Sequence, residues 1–282
     1  MIRLREWRGT GGLVVFCLWI ALSSACGNSA AGDGGKSVNS TPDVTATPAP
    51  SSAKTVTIES PDGVKIVGSM FAPNKPNSPA VLMMHQWQND RHSYDDLAAK
   101  MQSKGFAVLT IDGRGFGEST KKTDGAAVAA GRTDADVKGM LSDVDSAFTY
   151  LSKQPNVDPK RVGIIGASYA SSLAIIYAAD HPGVAAVALL SPGIDYFGNI
   201  PTEPAVKKYG NRPLLFIAAE DDKASADAVR QLDPGEAGSR KYPQHILQSG
   251  GHGTALLAGN AVQDLTDFFS EAFNSANMNV RS

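Results

Sequence analysis

The 282-residue chain is poor in cysteine, has no excess of basic charge and lacks a long apolar run. Its two cysteines, Cys17 and Cys26, cannot build a disulfide-rich scaffold or a zinc site of four thiolates. Its 26 basic residues are matched by 28 acidic ones, which argues against a nucleic-acid-binding face of clustered Lys and Arg. What remains is a composition of 42% hydrophobic and 19% charged residues, which is typical of a globular domain.

The N-terminus carries basic residues followed by an unbroken apolar run. Arg3, Arg5 and Arg8 precede this run, which covers residues 13–22, and small residues follow it. The run is shorter than a membrane-spanning helix, which needs about 20 residues. The order of basic, apolar and small residues predicts a secretory signal peptide over residues 1–25. A short membrane anchor that is never cleaved is the alternative.

The end of this segment, Leu22-Ser23-Ser24-Ala25-Cys26, resembles the lipobox of bacterial lipoproteins, in which the peptide is cut before a Cys that carries lipid. Ala25 matches the small residue before the cut, although Ser23 stands where Leu is usual. The resemblance implies lipidation of Cys26 and an exported lipoprotein of the cell envelope, held at the outer face of the membrane only by that lipid. Because Cys17 would leave with the signal peptide, no thiol would remain for a Cys nucleophile.

Residues 26–54 form the next segment, which is dominated by Gly, Ser, Thr, Ala and Pro. Such a composition buries little apolar surface and predicts a flexible tether behind the lipidated Cys. The folded domain is expected over residues 55–275, with a short C-terminal tail over 276–282.

Predicted strands and helices alternate along this domain. The predicted strands cover 55–60, 64–72, 80–85, 106–112, 161–166, 184–190, 213–219 and 244–249, and the predicted helices cover 94–104, 135–153, 169–179, 224–232 and 260–274. Such alternation indicates βαβ units and a mostly parallel sheet. Binding sites in these sheets form beyond the carboxyl ends of the strands, where we therefore look for functional residues.

One strand–helix junction has the pattern of a nucleophile elbow. Ser168 stands between small neighbours in Gly166-Ala167-Ser168-Tyr169-Ala170, where a predicted strand passes directly into a helix. The turn would expose the Ser168 hydroxyl and place the Tyr169 N–H on the first turn of the helix, where it could stabilise an oxyanion. An ordinary helix N-cap, which Ser also favours, is the alternative.

A base and an acid follow in the order that this elbow requires. His252 lies between glycines in a loop after the last predicted strand, and these glycines allow a close backbone approach. A solvated loop histidine is the alternative. Asp221 and Asp222 follow the strand at 213–219, and one of them could hold the imidazole in one tautomer. The order Ser, Asp, His is that of the α/β-hydrolase elbow enzymes.

These motifs together resemble the α/β-hydrolase superfamily, most closely its dienelactone-hydrolase-like and serine-esterase members. Residues 112–119 are similar to the family's Asp-x-Arg-Gly-x-Gly-x-Ser turn, residues 219–222 to its Gly-x-x-Asp, and residues 250–253 to its Gly-x-His-Gly. The resemblance implies an α/β fold with a mostly parallel central sheet of about eight strands, helices on both faces, a small lid and no separate cap domain. We expect Asp112 and Arg114 of the first motif to be structural.

The resemblance also implies a catalytic triad of Ser168, Asp222 and His252. In the family the last Asp of Gly-x-x-Asp is catalytic, which selects Asp222, and Asp221 is the alternative because Ala219 replaces the Gly. Dienelactone hydrolases proper use a Cys nucleophile, so their substrate is not carried over to a chain with Ser168.

The oxyanion hole is expected to use two backbone N–H groups, those of Tyr169 and Trp87. Trp87 is matched by its position after the third strand, where Gln86 stands in place of the Gly that is common in the family. A role as pocket wall is the alternative for Trp87. Candidate pocket residues are Gln86 itself and the aromatic residues of the segment 195–212. These aromatic residues are Tyr196, Phe197 and Tyr209, and packing in the core is the alternative for them.

The sequence therefore predicts a serine hydrolase that cleaves small or short-chain carboxylic esters without a metal or other cofactor. A peptidase or amidase with the same triad is one alternative, and a non-catalytic ligand-binding lipoprotein is another. The expected partner is a small-molecule ester rather than a nucleic acid, and the oligomeric state stays open.

Overall fold

The structure is a computed structural model that describes residues 53–233 and 244–278. The predicted signal peptide, Cys26 and all but the last two residues of the predicted tether lie outside these ranges. No helix of the described ranges has the length and hydrophobicity to cross a bilayer.

Ten strands and six α-helices make up the described domain. The strands are β1 (Lys54–Glu59), β2 (Lys65–Phe71), β3 (Ser78–Met84), β4 (Ala107–Ile111), β5 (Val157–Ala167), β6 (Val184–Leu190), β7 (Asp195–Tyr196), β8 (Ile200–Pro201), β9 (Leu214–Ala219) and β10 (His245–Leu247). The helices are α1 (Asp95–Ser103), α2 (Asp134–Ser152), α3 (Tyr169–Asp180), α4 (Thr202–Tyr209), α5 (Lys223–Leu232) and α6 (Ala261–Met278).

Eight of the strands form one sheet in the order β1-β2-β4-β3-β5-β6-β9-β10. Strand β2 is antiparallel to both β1 and β4, and all other neighbours are parallel. The central strands β3 and β4 are apolar along nearly their whole length, because both faces of a parallel sheet are covered. The predicted α/β-hydrolase fold with about eight strands is confirmed.

Helices cover both faces of this sheet. Residues of α2, α3, α4 and α5 join one buried apolar cluster, whereas residues of α1 and α6 join the cluster on the other face. Helix α2 begins after Thr133, whose side chain forms a capping box with Asp136. Its apolar stripe then packs on the sheet with the predicted helical spacing.

The segment 195–212 folds as the two-stranded ribbon β7–β8 followed by helix α4. The sequence analysis assigned this segment to a small lid and predicted no helix or strand within it. Pro204 stands in the first turn of α4, where a helix tolerates proline because the missing N–H has no partner there. As predicted, the segment is too small to form a separate cap domain.

The parallel strands end at a common edge of the sheet, and the predicted site residues follow these ends. Trp87 comes after β3, Ser168 directly after β5, Asp222 after β9 and His252 after β10. The topology therefore collects residues that are far apart in the sequence.

Candidate active site

Ser168 occupies a sharp turn between β5 and α3. Its backbone has φ 57° and ψ −127°, a conformation that costs a residue with a side chain about 1–3 kcal/mol. The turn is so tight that a Cβ on Gly166 would lie 2.2 Å from the carbonyl oxygen of Ala170. The glycine at position 166 of the predicted elbow is therefore required by its geometry.

Three side chains from different loops form one hydrogen-bonded chain at this edge. The Ser168 Oγ donates to His252 Nε2 over 2.7 Å, and His252 Nδ1 donates to Asp222 Oδ2 over 2.6 Å. The carboxylate can only accept, so it fixes the Nδ1–H tautomer and leaves Nε2 free to accept a proton. The structure thus brings together the three residues that the sequence singled out.

Asp221 contacts the same loop but not the imidazole. Its two carboxylate oxygens accept hydrogen bonds from the N–H groups of Gly250 and Gly251, each over 3.1 Å. Within the described ranges, Asp222 is the member of this pair that contacts the His252 ring, whereas Asp221 contacts the backbone before it.

Two opposing effects set the pKa of Asp222. Burial acts to raise it, but hydrogen bonds from Ser225, His252 and Ser191 together hold the pKa below its usual value. Asp222 therefore stays ionised at neutral pH, as a partner of His252 must be if it is to orient the ring.

Ser191 is a site residue that the sequence patterns missed. It directly follows β6, and its Oγ accepts a hydrogen bond of 2.9 Å from the N–H of Gly253, next to His252. Its φ of 47° is also in the left-handed region. The only available signal was its position immediately after a strand of the parallel sheet.

The loop after β3 is fixed from its buried side by His85. The His85 Nδ1 donates to the carbonyl oxygen of Gln86 over 2.7 Å, and its Nε2 accepts from the N–H of Gly113 over 2.9 Å. Burial lowers the pKa of His85, against weaker opposing effects from the Gln86 carbonyl and from Asp112 and Asp90. The ring is therefore neutral, which the acceptor role of Nε2 also requires.

The side chain of Gln86, a predicted pocket residue, reaches the loop of His252. Its Oε1 accepts from the backbone N–H of Thr254 over 3.1 Å and from the Thr254 hydroxyl over 2.8 Å. Thr254 was not predicted as a site residue, since no local pattern marks it.

Trp87 and Tyr169 carry the two predicted oxyanion donors. Within the described part of the chain, neither the Trp87 N–H nor the Tyr169 N–H donates a hydrogen bond. Tyr169 directly follows Ser168 in the chain, and the Trp87 ring lies edge-to-face on the Tyr169 ring.

Aromatic rings surround this edge of the sheet. Trp87 packs edge-to-face on Phe116, Tyr169 and Phe197, with ring centroids 4.9, 5.4 and 5.0 Å away. The guanidinium of Arg132 lies 4.7 Å from the centroids of both Trp87 and Phe197, in the range of cation–π contacts. Phe197, a predicted pocket residue, therefore belongs to a half-buried aromatic cluster with Trp87.

Tyr196 lies close to the triad, whereas Tyr209 does not. The Tyr196 hydroxyl donates to the carbonyl oxygen of Ser191 over 2.8 Å, and burial raises its pKa to about 12 despite a hydrogen-bonding contact with Ser168. Tyr209 is buried on α4 and donates to the carbonyl oxygen of Pro213, at the opposite end of β9 from Asp222. The prediction that Tyr209 lines the pocket is wrong, because its ring lies on the buried side of the amphipathic helix α4.

Asp112 and Arg114 brace the turn after β4, as predicted. Asp112 accepts from the backbone and the guanidinium of Arg91, and Arg114 makes a two-point contact with buried Asp143 and a second contact with Asp62. Among the described residues, no group of three or more His, Cys, Asp or Glu side chains is arranged to hold a metal ion.

Residues 66–242, most of the domain that carries this site, match the dienelactone hydrolase family. The chain belongs to this family. It is 28% identical over 228 residues to an uncharacterised protein of Mycobacterium tuberculosis, and the match covers 74% of this chain and 76% of that protein.

Two solved structures show the same fold at low identity. A dienelactone hydrolase from Anabaena variabilis aligns with a TM-score of 0.58 at 20% identity, over 79% of this chain and 97% of that one. An esterase from Pyrococcus furiosus aligns with a TM-score of 0.61 at 17% identity, over 78% and 92%. As a member of the dienelactone hydrolase family, the protein is a hydrolase of small molecules.

Proposed function

We propose that the protein is a serine-dependent hydrolase of small carboxylic esters, with Ser168 as nucleophile, His252 as base and Asp222 as the acid that orients it. The observation that carries this proposal is the continuous chain of hydrogen bonds from Ser168 Oγ through His252 to Asp222, with distances of 2.7 and 2.6 Å. The strained backbone of Ser168 supports it, since such strain is characteristic of a nucleophile held at a turn.

In the first step, Ser168 Oγ forms a bond to the ester carbonyl carbon and gives its proton to His252 Nε2. The carbonyl π electrons move to the oxygen, which becomes an oxyanion. When this oxyanion re-forms the C=O bond, the bond to the alkoxy oxygen breaks, and the departing alcohol takes the proton from His252. An acyl group then remains on Ser168.

In the second step, water attacks the acyl carbon and gives a proton to His252 Nε2. Collapse of the second oxyanion releases the carboxylic acid, and the proton returns to Ser168 Oγ. The Trp87 and Tyr169 N–H groups are the proposed donors to both oxyanions, and loss of one such donor typically costs about 10²–10³ in rate.

The surroundings of the triad favour a small substrate. The His252 side chain is 45% exposed, and the segment 195–212 adds only a ribbon and one short helix. The aromatic cluster of Trp87 and Phe197 offers a half-buried apolar surface beside the triad. We therefore propose esters with short acyl groups.

The proposal is tested by turnover of p-nitrophenyl esters of increasing acyl length by the purified full-length protein. We expect the highest kcat/KM with acetate to butyrate, and a loss of turnover in Ser168→Ala but not in Ser172→Ala, which changes a nearby buried serine. Turnover of p-nitroanilides alone would instead indicate an amidase or peptidase. Ligand binding without turnover would indicate a non-catalytic lipoprotein.

We also propose export as a lipoprotein of the cell envelope, with lipid on Cys26 and a tether that holds the domain at the outer face of the membrane. The order of basic, apolar and small residues before Cys26 supports this. Metabolic labelling with a palmitate probe should mark the wild type and Cys17→Ser but not Cys26→Ser. Labelling of Cys26→Ser would contradict the proposal.

A further inference from the structure

Gln86 connects two loops that the proposed reaction needs at the same time. Its Oε1 accepts both the backbone N–H and the hydroxyl of Thr254, which is two residues after His252. The two loops approach closely, since a Cβ on Gly253 would lie 2.9 Å from the Gln86 Cδ. The side chain of Gln86 therefore ties the loop after β3 to the loop that carries His252.

The backbone of Gln86 has a second connection. Its carbonyl oxygen accepts from the buried His85 Nδ1 over 2.7 Å, and His85 is held in turn by the N–H of Gly113. The carbonyl of Gln86 and the N–H of Trp87 belong to the same planar, trans peptide unit, so they point in opposite directions. Holding that carbonyl therefore also sets the direction of the Trp87 N–H, the proposed oxyanion donor.

Other contacts of the two loops do not join them in this way. Asp221 binds the N–H groups of Gly250 and Gly251, and Ser191 binds that of Gly253, so both hold the loop of His252 to the ends of strands β9 and β6. Only the bonds of Gln86, with a weaker 3.5 Å contact of Asn89 to Thr254, join this loop to the one after β3 within the described ranges.

We propose that Gln86 is a positioning residue that couples the placement of the Trp87 N–H to that of His252, so that oxyanion donor and base keep a fixed relation to Ser168. This rests on the proposed function. Gln86 acts through Thr254 and Trp87 without touching the substrate.

The test compares Gln86→Met with Gln86→Glu in the full-length protein. Methionine has a similar length but no acceptor, whereas glutamate keeps an oxygen for both donors of Thr254. We expect Gln86→Met to lower kcat about 10-fold to 100-fold, because the largest effect should be similar to that of losing one oxyanion donor. The KM should stay within about 2-fold of the wild-type value. Gln86→Glu should recover most of this loss and move the acid limb of the pH–kcat/KM profile to higher pH, because a carboxylate near His252 favours its charged form.

The matched control is Gln88→Met, which makes the same change at an exposed residue two positions along the same loop. It should retain wild-type kcat. Thr254→Val removes the hydroxyl that donates to Gln86 Oε1. The loss of kcat in the double variant Gln86→Met/Thr254→Val should be smaller than the product of the losses in the two single variants. If Gln86→Met does not fold, the kcat values of Thr254→Val and Gln86→Glu are compared instead.

A changed KM with normal kcat in Gln86→Met would overturn the proposal and make Gln86 a pocket wall. Effects of Gln86→Met and Thr254→Val that multiply independently would overturn it as well, and so would an equal loss in Gln88→Met. Each of these outcomes leaves the proposed function intact as long as the wild type turns over esters. A wild type without turnover would overturn both proposals.

Discussion

Asp222 and Asp221 are neighbours in the chain but hold different parts of the same loop. Asp222 accepts from the His252 imidazole over 2.6 Å, and Asp221 accepts from the N–H groups of Gly250 and Gly251 that precede it. One carboxylate thus orients the ring and the other supports the backbone beneath it. This division of roles leads to the first prediction.

Asp222→Asn should lower kcat about 10⁴-fold, because an amide can donate to Nδ1 and then favours the wrong imidazole tautomer. Asp221→Asn keeps one acceptor for the glycine N–H groups and should cost less than about 10-fold in kcat, with a loss of roughly 1 kcal/mol in unfolding free energy. Steady-state kinetics and denaturant unfolding of both variants test this. Equal losses of kcat would contradict the assignment of Asp222.

The elbow gives a second prediction, on stability. Gly166→Ala places a Cβ about where the backbone of Ala170 already lies, so we expect a loss of more than about 3 kcal/mol or failure to fold. Ala170→Gly restores the usual glycine of the motif and should cost only about 1 kcal/mol through helix propensity. Thermal unfolding of the two variants checks the difference, and a stable Gly166→Ala protein would contradict the elbow geometry.

A third prediction follows from the lowered pKa of buried His85. Because the unfolded chain binds a proton at His85 near pH 6.5 and the folded chain does not, stability is complete above pH 6.5 and falls as the pH decreases below it. The slope from this residue approaches 1.4 kcal/mol per pH unit. The unfolding free energy of the wild type should therefore decrease more between pH 7 and pH 5 than that of His85→Gln, which still offers an acceptor to Gly113. Parallel curves would contradict a buried, neutral His85.

The fourth prediction concerns the ion pair behind the turn after β4. Asp143 is buried and makes two contacts with Arg114, whereas the Asp62 side chain on the same guanidinium is 43% exposed. Asp143→Asn should destabilise the fold by about 3–5 kcal/mol by leaving a buried charge poorly paired. Asp62→Asn should cost about 0–1 kcal/mol, as an exposed ion pair does. Denaturant unfolding distinguishes the two, and similar losses would contradict this account.

Much of the architecture could be predicted from the sequence, because the domain's strands and helices carry clear periodic patterns. The strands before Ser168 and Asp222 are short apolar runs, and the chain order of nucleophile, acid and base limits where each must stand. The small helix α4 was missed because it is only eight residues long and contains Pro204. Helix propensity summed over so few residues is a weak signal.

The connections within the site could not be predicted, because they join residues that are distant in the sequence. Gln86 and Thr254 are 168 positions apart, and nothing local marks either as a partner of the other. Ser191 was missed for a related reason, since a serine after a strand is common and only the sheet order places it beside Gly253. Tyr209 shows the opposite error, since it was predicted as a site residue and is not one. An aromatic residue in a segment near the site can equally be buried in the domain core, as Tyr209 is on α4.

The most direct test of the account is the reaction of the full-length protein with a fluorophosphonate, followed by intact-mass and peptide mass spectrometry. We expect a single adduct on Ser168, formed by the wild type and by Ser172→Ala, absent from Ser168→Ala and strongly slowed in His252→Ala. A folded wild-type protein that forms no adduct, or one that carries the adduct on another serine, would contradict the claim that Ser168, His252 and Asp222 form a working nucleophilic site.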